Sequence, residues 1–286
     1  MKKNHMGRFW EIDQNGLILN DSSPTYLTKQ WWSLISDFLS FLETQRMLLN
    51  LEGVYLSGSV SRGLVIPWVS DFDIIFVTNC TEIDPVPIFD SFYPTLAKYG
   101  LTRVCYKSAS PDEVTRTNFF SQAAFLISTQ SINIWGADYS SQIRKFPLGK
   151  AVMNNDIVKL KRRVEICIED FERNQCKLNL EFWFPIMIKE LLRTGFLICS
   201  QKHKKYTRDI PLCCEVLIND YPEQKQNVRL AQKMYITKEF DHHIALSFLY
   251  DFGNWLVGEA ELWLDVNNPW RLNNLSVDMD YLEGSK

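Results

Sequence analysis

The chain has 286 residues, 46% of them hydrophobic and 13% aromatic, and a formal net charge of −3. This composition supports a packed core and excludes a disordered polyelectrolyte, and no apolar run is long enough to cross a membrane, so a soluble, cytoplasmic protein is expected. Neither half is basic overall, which speaks against a firm grip on long nucleic acid through its phosphates.

Lys2 and Lys3 precede no apolar stretch, so no secretory leader is expected. Ser22 and Ser23 are N-cap residues for a helix over 24–50, with Pro24 in its first turn. Leu27, Trp31, Leu34, Ile35, Phe38, Leu39 and Leu42 recur at helical spacing and give it one buried face. A first strand begins at Tyr55-Leu56. It runs into Ser57-Gly58-Ser59, a turn that opens a short helix over 59–64. A loop containing Pro67 leads to a second strand over 71–78, whose run Ile74–Val77 reads as buried on both faces.

This stretch carries the chemistry. Gly58 and Ser59 offer close backbone N–H groups and a hydroxyl, which suit a phosphate. Asp71 and Asp73 are two apart at a strand start and point to one face. Adjacent carboxylates repel unless a cation lies between them. Mg²⁺ favours such oxygens and often keeps substrate phosphates in its shell. Together these residues describe a site for a metal-bound nucleoside triphosphate.

Further along, 84–87 reads as a turn, 88–99 as a helix and Leu101–Lys107 as a third strand. Ser110, Pro111 and Glu113 form a capping-box start for a helix over 113–128. Ser131–Trp135 is a short last strand, closed by Gly136-Ala137-Asp138. After Pro147 the pattern becomes helical, with segments marked by Ile157–Phe171, by Phe182–Cys199 with Pro185 near its start, and over 209–219, 223–238 and 239–263. The chain therefore divides near residues 150–155. The seven cysteines have no Cys-x-x-Cys spacing and read as reduced thiols in apolar positions. His242 and His243 are adjacent and cannot both face one metal from a regular helix. Lys202, Lys204, Lys205 and Arg208 form the one local basic cluster, read as a solvated face or a phosphate contact.

The segment Tyr55-Leu-Ser-Gly-Ser-Val-Ser-Arg-Gly63, followed by Ser70-Asp-Phe-Asp73, resembles the nucleotidyltransferase domain of the DNA polymerase β superfamily. It is most similar to the small bacterial two-domain members, the aminoglycoside adenylyltransferases among them. The resemblance implies an α+β fold, with an N-terminal mixed sheet and flanking helices over 1–150 and an all-helical, acceptor-binding domain over 151–286. It implies Mg²⁺ on the catalytic pair Asp71 and Asp73, and triphosphate contacts from Gly58, Ser59 and Arg62. Lys189–Arg193 followed by Tyr206-Thr-Arg-Asp209 resembles the family's helical domain. Arg208 then either reaches the triphosphate or belongs to a surface loop in which Asp209 caps the next helix. The implied reaction is transfer of a nucleoside monophosphate, AMP from ATP, to a hydroxyl of a small acceptor. A tRNA or protein acceptor, or a catalytically reduced nucleotide-binding or antitoxin-like regulator, stays open.

One departure bears on activity. The family adds a third carboxylate on a later strand, and here Cys105 stands at that position. Asp112 or Glu113, at the next helix start, is the candidate substitute, although Glu113 fits a capping box equally well. Asp138 fits a family pattern at the end of the last strand, where turn chemistry explains it as well. Glu181 and Glu190 are candidates for the wall of an acceptor pocket.

Overall fold

The computed structural model describes residues 7–80, 86–116, 118–173 and 177–278. The turn expected at 84–87 falls partly outside them, and Cys176 wholly so. Glu11–Phe146 form one compact unit and Pro147–Lys286 a second, with which residues 7–10 also group.

The first unit is built on four strands: β1 (Gly53–Ser57), β2 (Phe72–Val77), β3 (Val104–Ala109) and β4 (Ser131–Gly136). Their spatial order is β3-β2-β1-β4. β1 runs antiparallel to both β2 and β4, while β2 and β3 are parallel, so the sheet is mixed. Helix α1 (Lys29–Thr44) buries Leu34, Ile35, Phe38 and Leu42. These join Val54, Leu56, Phe72, Ile74 and Phe76 in one core cluster. Alternate strand residues thus fill the space under α1, and Tyr55, Ser57, Asp73 and Ile75 are turned to the other face. Phe38 meets Phe72 edge to face at 5.1 Å, a geometry that ring quadrupoles favour.

The single helix expected over 24–50 is broken. Ser23 caps a 3₁₀ turn at Pro24–Tyr26, α1 starts afresh at Lys29, and a second 3₁₀ turn covers Met47–Asn50. Arg46 at φ 56° stops α1, because a left-handed residue cannot continue a right-handed helix. The helix expected over 113–128 also divides, into α5 (Pro111–Thr115) and α6 (Gln122–Gln130), each with its own serine cap, Ser110 and Ser121. Between β1 and β3 lie α2 (Gly58–Ser61), α3 (Val86–Asp90) and α4 (Tyr93–Lys98).

The second unit contains α7 (Lys150–Arg173), α8 (Lys177–His203), α9 (Ile210–Asp220), α10 (Lys225–Thr237), α11 (His242–Phe248) and α12 (Asn254–Asn267). A single π turn at Leu249–Gly253 joins the last two. Residues 7–10 are tied to the loop before α9. The Trp10 amide donates to Tyr206 O at 2.9 Å, and Thr207 Oγ1 donates to Arg8 O at 2.9 Å. Cys167, Cys199, Cys213 and Cys214 are buried free thiols, and burial pushes the Cys167, Cys199 and Cys214 thiols up to about 12. Among the described residues no helix is long and apolar enough to cross a membrane.

Candidate functional site

β1 ends at Ser57, whose antiparallel partner is Asp73, and the chain then turns through Gly58 into α2. Gly58 has φ +71°, and a β-carbon there would lie 2.0 Å from Asp73 Oδ2. Only glycine suits both demands: the left-handed backbone and the near contact with a carboxylate. The structure therefore brings the turn and the second aspartate together. Gly58, Ser59 and Asp73 are all half-buried, open enough to meet a ligand.

α2 is only one turn long and draws its rigidity from neighbours. Ser61 Oγ lies 3.0 Å from Gly58 O and 3.1 Å from Gln130 O, and Ser22 Oγ is 2.7 Å from Ser61 Oγ. Arg62 follows, with Nε 2.6 Å from Asp21 Oδ2 and both side chains buried. The phosphate contact expected of Arg62 would have to be made from within this pairing. Its guanidinium is engaged by Asp21, and releasing it would leave a buried carboxylate without its cation. Arg62 thus fastens the turn to the 20–23 segment. Asp21 was not singled out by sequence, since nothing local distinguishes it from a loop aspartate.

Asp71 stands just before β2 and is buried. Thr102 Oγ1 donates to its Oδ1, and Arg103 Nε lies 3.3 Å from the same oxygen. Parallel pairing sets Cys105 beside Asp73. The β3 flank of the aspartate pair is therefore Arg103 and Cys105, with no acid. A period-two reading back from Cys105 finds Arg103 on the same face, a signal available in sequence. Glu113 is held elsewhere. Its amide donates to Ser110 Oγ at 3.1 Å, and Ser121 Oγ donates to its carboxylate at 3.1 Å. Ser110 follows Ala109, the partner of Val77, so Glu113 belongs to the far end of β2 from Asp73.

Asp138 serves the end of the sheet. It accepts from Tyr55 Oη at 3.1 Å and from the Ser140 amide at 2.9 Å. Burial pushes the Tyr55 phenol up to about 12, helped by the Asp138 charge. Arg208 Nη1 lies 3.8 Å from Asp156 Oδ2, within the helical unit itself. Asp209 sits at the N-cap of α9 without a capping bond, because its Oδ2 accepts from the Arg8 amide at 2.9 Å. Glu190 pairs with Arg163 at 2.9 Å, and burial raises its carboxyl above the usual range. Lys202 and His203 share Asp220, at 3.2 and 2.9 Å. Among the described residues no group of three or more His, Cys, Asp or Glu side chains is arranged to hold a metal. Two hard carboxylate donors on one face nevertheless fit a Mg²⁺ ion that draws its other oxygens from water and phosphate.

No family model matches the chain, and no curated protein matches it. Among solved structures it is similar to spectinomycin adenyltransferase AAD(9) from Enterococcus faecialis, crystallised with ATP and spectinomycin. The TM-score is 0.54 at 13% sequence identity, over 80% of this chain and 99% of the other. The likeness is one of fold. It extends over most of both chains and fits the α+β architecture expected from the motifs.

Proposed function

We propose that the chain is a nucleotidyltransferase that moves AMP from ATP to a hydroxyl of a small acceptor and releases pyrophosphate. The observation that carries this reading is the Gly58 turn seated against Asp73, with Asp71 two residues earlier, just ahead of the same strand. A phosphate-holding bend and a carboxylate pair are what a metal-bound triphosphate needs, and the fold supporting them is like that of an enzyme crystallised with ATP.

Asp71 and Asp73 would hold Mg²⁺, which when bound offsets triphosphate charge and eases departure of pyrophosphate. The Gly58 and Ser59 amides and the Ser59 hydroxyl orient the phosphates. Arg62 acts one step back, keeping the turn in place through Asp21. The acceptor oxygen bonds to the α-phosphorus, the bond to the β-phosphate bridge breaks, and the hydroxyl proton passes to solvent. Transition states for phosphoryl transfer are loose in most analyses, with charge spread over the transferring group. Positioning then matters more than a strong base, so the chemistry can proceed with Cys105 in place of an acid. Arg208 enters no step of this account.

Arg103 and Cys105 beside the aspartates favour a second reading, a nucleotide-binding regulator that does not turn over. Calorimetric titration with ATP and Mg²⁺, beside a pyrophosphate-release assay over hydroxylated acceptors that include spectinomycin, separates the two. Binding with release supports the transferase. Binding without release for any acceptor supports the regulator, and no binding rejects both.

A further inference from the structure

The carboxylate pair has a built-in counter-ion. Arg103 Nε is 3.3 Å from Asp71 Oδ1, with the two side chains 28% and 9% exposed, so solvent screens their attraction less than it would an exposed pair. The Thr102 hydroxyl donates to the same oxygen and fixes the carboxylate's orientation. The Phe72 amide donates to Arg103 O at 2.8 Å, which sets Arg103 abreast of Asp71 just before the pairing of Asp73 with Cys105.

A guanidinium stays charged in a protein, whereas sulfur is a soft donor and a poor partner for a hard dication. Two-metal phosphoryl transfer places two dications about 3.5–4 Å apart. Here a second dication would approach a fixed cation, and among the described residues no third carboxylate joins the pair to offset the repulsion. We infer that this site takes up its nucleotide with one divalent cation, and that Arg103 supplies the second positive charge. The inference rests on the nucleotide-binding reading. Arg103 is a positioning residue that acts through Asp71.

The test counts Mn²⁺ by electron paramagnetic resonance on the full chain bound one-to-one to a non-hydrolysable ATP analogue. The expected count is one ion per bound analogue for the wild type and for Arg103→Lys, which keeps the charge. Arg103→Gln, shown to be folded by circular dichroism, is expected to gain a second ion with at least ~10-fold tighter affinity than any second site in the wild type. Two ions in the wild type, or a single ion in folded Arg103→Gln, overturns the inference and leaves the reading beneath it intact. The wild-type count decides by itself if Arg103→Gln does not fold. A chain that binds no analogue, with or without Mn²⁺, overturns the nucleotide-binding reading and this inference with it.

Discussion

Gly58 and Asp73 are in near contact across the β1–β2 pair: a methyl group on Gly58 would lie 2.0 Å from Asp73 Oδ2. Backbone and ligand chemistry meet at this point. The turn that would hold phosphate also sets where the carboxylate can go.

Gly58→Ala therefore meets two costs. The left-handed backbone adds about 1–2 kcal/mol for an L residue, and the methyl group must displace Asp73. We expect the variant to lose roughly 1–3 kcal/mol of stability by urea denaturation and to bind an ATP analogue at least ~10-fold more weakly. Unchanged binding would show that the turn and Asp73 do not act together.

The Asp21–Arg62 pair, 2.6 Å long and buried, gives a prediction about rigidity. Asp21→Ala takes the carboxylate away from a buried guanidinium, and breaking such a pair costs about 3–5 kcal/mol. Asp21→Leu with Arg62→Met removes both charges and should be less destabilising than Asp21→Ala alone. Chemical denaturation of the single and double variants checks this. A double variant at least as unstable as Asp21→Ala would mean that the charges were not the cost.

Tyr55 supplies the alkaline signature. Its folded-state phenol is pushed up to about 12 by burial and by Asp138, against an ordinary value near 10. The unfolded state then loses its proton first as pH rises. The stability is present in full below about pH 10 and is lost as pH rises from about 10 to 12, by roughly 2–3 kcal/mol. Tyr55→Phe should flatten this part of the stability–pH curve in denaturation experiments. An identical alkaline slope in the variant would assign the effect to other tyrosines.

The sequence made the Gly58 turn, the aspartate pair and the division into sheet and helices readable, because each depends on short-range rules of period, turn and cap. Its failures have physical causes. The helix over 24–50 breaks at Arg46 through backbone conformation, which hydrophobic period does not record. The run over 113–128 splits because Ser121 caps a new helix, a signal that apolar spacing hides. The pairing of Arg62 with Asp21 was hidden because the two are distant in sequence. Arg103 was legible in principle by its spacing from Cys105, but only the parallel register shows that it flanks Asp71 and not another carboxylate.

The most direct measurement is titration of the wild type and of Asp71→Asn with Asp73→Asn by an ATP analogue, with and without Mg²⁺. The account predicts Mg²⁺-dependent binding in the wild type and at least a ~100-fold loss, equal to about 2.7 kcal/mol, in a double variant that remains folded. Equal affinity in the two proteins, or wild-type binding indifferent to Mg²⁺, would contradict it.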